Sequence, residues 1–172
     1  MALQLILETG AGLSNANSYA SLAEAESYHE GRSHVSAWTA LTLTEKTVAL
    51  VEATLLIDVY LDWDGSKATE AQALRWPRVG VVDRDGYAID STVIPLWLKQ
   101  ATAEQGRRLQ ESDRTAEPDL LEFSSLSVGP ISLVKDQGSR KSVLHEVVIA
   151  LLKPYGRITY GPRPSIATLV RV

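Results

Sequence analysis

The sequence predicts a mainly α-helical fold: a small four-helix bundle with a β-hairpin and an extended C-terminal arm. Three observations predict it. Four segments join a helix-start residue to apolar residues at helical spacing. The stretch Leu126–Val134 (LSVGPISLV) alternates apolar and small residues, as a strand or hairpin arm does, and a Pro-rich Gly161–Pro164 precedes a β-prone tail.

In chain order, Leu3–Leu7 is a short apolar run without a basic flank, which reads as a first strand and not as a signal peptide. Ser21 followed three residues on by Glu24 is a capping box, so a first helix starts there, runs to about Glu30 and ends at Gly31. Its inner side is expected to carry Leu22, Ala25 and Tyr28 or His29. A second helix is expected over Thr44–Leu61, with Thr44 as N-cap and Glu45 in the first turn. Val48, Val51, Leu55 and Val59 form one stripe on it, and Leu50, Leu56 and Ile57 fall outside that stripe. A helix apolar on most sides is buried by several neighbours, which makes this the expected central helix. On that reading Leu55→Ala costs roughly 2–5 kcal/mol.

Residues 62–90 read as loop, with Val79–Val82 and Tyr87–Ile89 placed to pair around Asp85-Gly86. Pro95 opens a third helix with Ile94, Leu98, Ala101 and Leu109 inward, fading near Glu111. Residues 112–122 are polar and contain Pro118, so they form a linker or exposed loop. The fourth helix is expected over Ser142–Leu152, with Val143, Leu144, Val147, Val148 and Leu151 in its stripe and Pro154 and Gly156 as stops. The whole is expected to be one domain in two parts: a helical body with its hairpin (residues 1–134), then a basic loop, a helix and an arm (residues 135–172).

Composition narrows the function. Of 172 residues, 45% are hydrophobic and 22% charged, which is ordinary for a globular chain, and no run of eighteen apolar residues suggests a membrane helix. Cysteine is absent, so disulfides and thiolate chemistry are excluded. Residues 1–134 hold 10 Lys/Arg and 19 Asp/Glu, a net charge of −9; residues 135–172 hold 7 and 2, a net charge of +5. An acidic body with a basic tail is a partner signal, and the acidic body opposes phosphate.

Catalytic patterns are sparse. His29, His34 and His145 lack metal-ligand spacing and a placed partner, and the glycines lie singly in turns, not in a phosphate loop. Asp62, Asp64 and Gly65 resemble part of a calcium loop, but later ligand positions hold Ala68 and Ala71. The expectation is no catalytic residue, no cofactor and no metal. Trp38, Trp63, Trp76 and Trp97 read as core anchors. Trp76 alone stands between arginines, so Arg75, Trp76 and Arg78 are the candidates for stacking and contacting a single strand. In the tail, Ile166, Leu169, Val170 and Val172, with Arg163 and Arg171, are the candidate partner-binding residues: a strand with free N–H and C=O groups can extend another chain's sheet. The competing reading folds that strand back on its own hairpin.

Five motifs in order then carry a resemblance. Asn15–Ala25 (NANSYASLAEA) resembles the "ANSYVSLAEA" opening of a phage protein family, and Gln72–Val81 (QALRWPRVGV) is similar to its "QALAWPRxGV" segment. Ile94-Pro95, Val128–Ser132 (VGPIS) and Leu151–Tyr155 (LLKPY) come after them in the same order. The family is labelled "putative DnaT-like single-stranded DNA binding protein" and also resembles the head–tail connector, or head-completion adaptor, proteins of long-tailed phages. The loop Lys135–Lys141 (KDQGSRK) departs from the small, neutral loop expected there. The connector resemblance implies a virion protein of the neck, made in the host bacterial cytoplasm. It would form a ring, typically of twelve copies, between the portal protein and a tail or stopper/terminator protein, with duplex DNA passing through the lumen. The alternative is a single-stranded DNA-binding accessory protein.

Overall fold

The structure is a computed structural model that describes residues 3–112, 125–128, 131–134 and 142–159. It is partly helical, with small antiparallel strand pairs. The helices are α1 (Leu22–Glu30), α2 (Ser36–Thr39), α3 (Leu43–Tyr60), α4 (Leu96–Leu109) and α5 (Glu146–Leu152). The strands are β1 (Leu61–Trp63), β2 (Ser66–Lys67), β3 (Arg78–Val79), β4 (Ser125–Val128), β5 (Ile131–Val134) and β6 (Gly156–Ile158). They pair antiparallel as β1–β6, β2–β3 and β4–β5.

Local chemistry sets the helix starts. The Ser21 hydroxyl accepts from the Glu24 N–H, and the Glu24 carboxylate returns the bond to the Ser21 N–H at 2.8 Å, the expected capping box. The same device starts α3, but from Thr42: its hydroxyl accepts from the Glu45 N–H and its N–H donates to the Glu45 carboxylate at 2.7 Å. Thr44, the expected cap, is already inside the helix. The fourth expected helix also starts later, at Glu146, because the His145 ring accepts from the Val147 N–H and caps it there.

The centre is α4, not α3. Helices α1, α3 and α5 all pack against α4, and every residue from Ala101 to Arg107 is buried. Small side chains permit this: a Cβ at Gly106 would lie 3.3 Å from the Ala49 carbonyl oxygen, so α3 and α4 meet nearly backbone to backbone. Two charged residues share the buried run because they satisfy each other, Arg107 donating to Glu104 at 2.6 Å. Lys99 ties α4 to α1 through Glu24, and Lys46 ties α3 to α1 through Glu26, both at 2.6 Å.

Of the expected inner stripe of α3, Val51 is half-buried and the other three residues point outward. Val48, Leu55 and Val59 are 44%, 60% and 52% exposed. The buried residues of the helix are Thr47, Ala49, Leu50, Ala53, Thr54, Leu56 and Ile57 instead. Thr47 and Thr54 fit there because each hydroxyl donates to the carbonyl one turn back, Leu43 at 3.0 Å and Leu50 at 2.9 Å.

Among the described residues the N-terminal run contributes no strand beyond a single parallel bridge, Leu7 to Ser18. Glu8 organises the turn after that bridge: its carboxylate accepts the N–H groups of Gly10, Gly12 and Leu13 at 2.8–3.0 Å. The loop around Asp85-Gly86 turns as expected, with Val82 bridged to Ala88 and the Ile89 N–H donating to Val81. The hairpin expected over Leu126–Val134 is β4–β5. Strand β6 has no counterpart among the sequence expectations; it lies on β1 with Leu61 opposite Ile158 and Trp63 opposite Gly156. The C-terminal arm, with Arg163, Ile166, Leu169, Val170, Arg171 and Val172, lies outside the described residues, as do the loop at 135–141 and most of 112–122.

Candidate functional site

The segment Gln72–Arg78 is the one stretch with a nucleic-acid reading, and its geometry is set from inside. The Gln72 side-chain amide donates to the carbonyls of Leu74 (2.9 Å) and Pro77 (3.0 Å), while its oxygen accepts the Thr69 N–H at 2.9 Å. One buried glutamine thus folds the segment back on itself. The Arg75 N–H donates to Asp58 at 2.9 Å, and the Trp76 N–H donates to the Tyr19 hydroxyl at 3.1 Å. Tyr19 in turn donates to Asp58 at 2.6 Å.

Burial sets the electrostatics of this knot. It drives the Tyr19 hydroxyl well above its ordinary range and raises the Asp58 carboxyl to about 6, against the opposing effect of its bonds to Tyr19 and Arg75. Tyr19 therefore stays a neutral donor.

Trp76 is fully buried. Its ring meets Trp63 edge-on at 5.7 Å and Trp97 edge-on at 5.3 Å, and Trp97 stacks on Tyr155 at 3.9 Å. This is the core-anchor role expected of the tryptophans, with no ring face left for a base. Arg78 is buried too. Its guanidinium donates to four backbone carbonyls: Asp64 (2.6 Å), Gly65 (2.7 Å), Arg75 (3.1 Å) and Trp63 (3.3 Å). Most of those donors are committed to the turn after β1, the stretch resembling a calcium loop, whose carbonyls this guanidinium takes up. Of Arg75, Trp76 and Arg78, only Arg75 is exposed. Sequence reasoning missed the residues that hold the segment: Tyr19 and Gln72 lie inside the two longest motifs, which signal a resemblance but not this role, and Asp58 lies in neither.

The open cleft of about 550 Å³ beside this segment presents the hydroxyls of Thr9, Thr69, Ser91 and Thr92 and no ionisable side chain. Among the described residues no helix is long and apolar enough to cross a membrane. His29 is buried, its Nε2 3.2 Å from the Ala103 carbonyl, and burial lowers its imidazole to about 4.

What reaches solvent is the outer face of α3. Val48, Glu52, Leu55 and Val59 succeed one another at spacings of four, three and four, which aligns them along one side of the helix.

Fold and surface together define a partly helical protein whose arginine–tryptophan segment is an internal knot and whose longest helix presents an apolar stripe. Residues 3–172 match the family described as "Putative DnaT-like ssDNA binding protein", and the chain belongs to that family. No curated protein and no solved structure matches it.

Proposed function

We propose that the chain is a structural virion protein: a head–tail adaptor subunit of a phage or prophage. It forms a ring, typically of twelve copies, between portal and tail, and acts as a conduit for duplex DNA. No bond is made or broken. In this reading the finer architecture is the four-helix bundle with an extended C-terminal arm that reaches a neighbouring chain or the portal.

The observation that carries this reading is how the body uses its polar groups. Arg78, Arg107 and Glu8 are buried and engaged internally, leaving outside an acidic body and an apolar helix face. Such a surface suits protein contact and repels passing phosphate, as a conduit requires. The five ordered motifs support the same reading. Negative-stain imaging of the chain mixed with the portal protein of its own phage tests it: rings seated on the portal are expected, and dispersed subunits count against it.

The family description favours a second reading, a single-stranded DNA-binding accessory protein. Its strongest residue candidates are weakened by the burial of Trp76 and Arg78. Fluorescence anisotropy with an oligonucleotide at low salt separates the two. The adaptor reading expects no saturable binding; tight binding that falls steeply with salt would reverse the choice.

A further inference from the structure

We propose that the outer face of α3 is the seat of the chain's own C-terminal segment, residues 160–172. This concerns the free chain alone and goes beyond the adaptor reading: on that reading, assembly would draw the segment off its own α3 and on to the neighbouring chain or the portal, freeing the apolar face for contact.

The first argument is the face itself. Val48, Leu55 and Val59 are among the large apolar side chains left exposed, and they lie in one line. Scattered exposed apolar residues need no explanation, but an aligned set on the longest helix does.

The second argument is where the described chain ends. Strand β6 runs antiparallel to β1, which directly continues α3, so β6 travels back toward that helix. Its continuation reaches the last turn of α3. The Thr159 N–H donates to the Tyr60 carbonyl at 3.0 Å, and the Thr159 hydroxyl donates to the Val59 carbonyl at 3.4 Å. Thr159, the residue from which the segment starts, is therefore held beside Val59, one end of the apolar line.

Length and composition fit. From Val59 back to Val48 the helix spans roughly 16 Å at 1.5 Å per residue. Thirteen residues, 160–172, could span at most about 43 Å if fully extended, well beyond that distance. Ile166, Leu169, Val170 and Val172 supply apolar side chains, and Arg163 and Arg171 supply positive charge. The helix face offers the matching groups, with Glu45 and Glu52 beside the apolar line. A tethered segment also acts at an effective concentration on the order of millimolar, so a modest contact suffices.

The chain has no cysteine, which makes disulfide trapping clean. Two full-length variants, Leu55→Cys/Ile166→Cys and Leu55→Cys/Leu169→Cys, are oxidised at micromolar concentration, with Leu43→Cys/Leu169→Cys as control because Leu43 faces away from the line. At least one Leu55 pair should close within the chain, roughly 100-fold faster than it forms dimers, while the control stays reduced. Closure of neither Leu55 pair overturns the proposal, and so does a product dominated by disulfide dimers, which would make a second copy the occupant. As a second readout, a polarity-sensitive dye on the Leu55→Cys chain should shift to the red when Ile166→Asp and Leu169→Asp are added. Unchanged emission would likewise overturn it.

Discussion

The Tyr19 hydroxyl accepts the Trp76 N–H at 3.1 Å, joining two segments 57 residues apart. It passes the constraint on by donating to Asp58 at 2.6 Å, and Asp58 also accepts the Arg75 N–H. The two longest motifs of the sequence, Asn15–Ala25 and Gln72–Val81, therefore meet at one buried oxygen. Both take part in the fold's internal wiring.

Tyr19→Phe removes that oxygen while keeping the ring. The buried Trp76 N–H and one Asp58 oxygen lose their partner, which should cost roughly 2–3 kcal/mol. A denaturant titration would show a lower midpoint with an unchanged slope. An unchanged midpoint would mean that solvent replaces the hydroxyl.

Arg78→Lys tests the second clamp. Lysine keeps the charge but has no planar fork, so it cannot serve carbonyls at 63, 64, 65 and 75 together. A loss of roughly 2–4 kcal/mol is expected in thermal or chemical unfolding. If Arg78 were instead a strand-contacting residue, stability would hold and only oligonucleotide affinity would fall.

Helix α3 provides a paired test. Leu50 is fully buried and Leu55 is 60% exposed. Leu50→Ala should cost roughly 2–5 kcal/mol, and Leu55→Ala less than about 1 kcal/mol, since only a peripheral contact of the terminal segment is at stake. Equal losses would restore the orientation that the sequence suggests.

That orientation shows where sequence reading stops. Helix α1 is legible to the residue because Ser21 and Glu24 advertise a cap whose chemistry is local. Helix α3 is legible as a helix but not as a face. Its buried residues mix Leu50, Leu56 and Ile57 with Ala49, Ala53, Thr47 and Thr54, whose small volume and self-satisfied hydroxyls suit close contact with α4, while Val48, Leu55 and Val59 point away. Large apolar residues lie on both sides, so spacing alone does not say which side is buried. The buried run of α4 is hidden for a related reason: Glu104 and Arg107 read as surface until their mutual bond is seen. Of the candidate site, the packing of Trp76 is legible. The clamp of Arg78 is not, because its carbonyl partners come mostly from a loop that the sequence leaves unspecified.

Acid stability should depend on two buried groups of opposite sign. Burial lowers His29 to about 4, below its unfolded value of about 6.5. As pH falls below 6.5 the unfolded chain takes the proton first, so stability is lost between about 6.5 and 4, by at most about 1.4 kcal/mol per pH unit. Burial raises Asp58 to about 6, above an unfolded value of about 3.9. Its contribution is present at low pH and is lost as pH rises from about 4 to 6. The two oppose each other in that window. His29→Gln should therefore flatten or reverse the acid fall in melting temperature, and Asp58→Asn should steepen it. Parallel profiles for both variants would show that neither group is held as described.

The most direct test of the adaptor account is quantitative mass spectrometry of purified particles from the phage or induced prophage that encodes the chain. The account predicts that this protein stays with DNA-filled particles after gradient purification, at a copy number close to that of the portal protein. Its absence from particles, while abundant in the infected cell, would contradict the account.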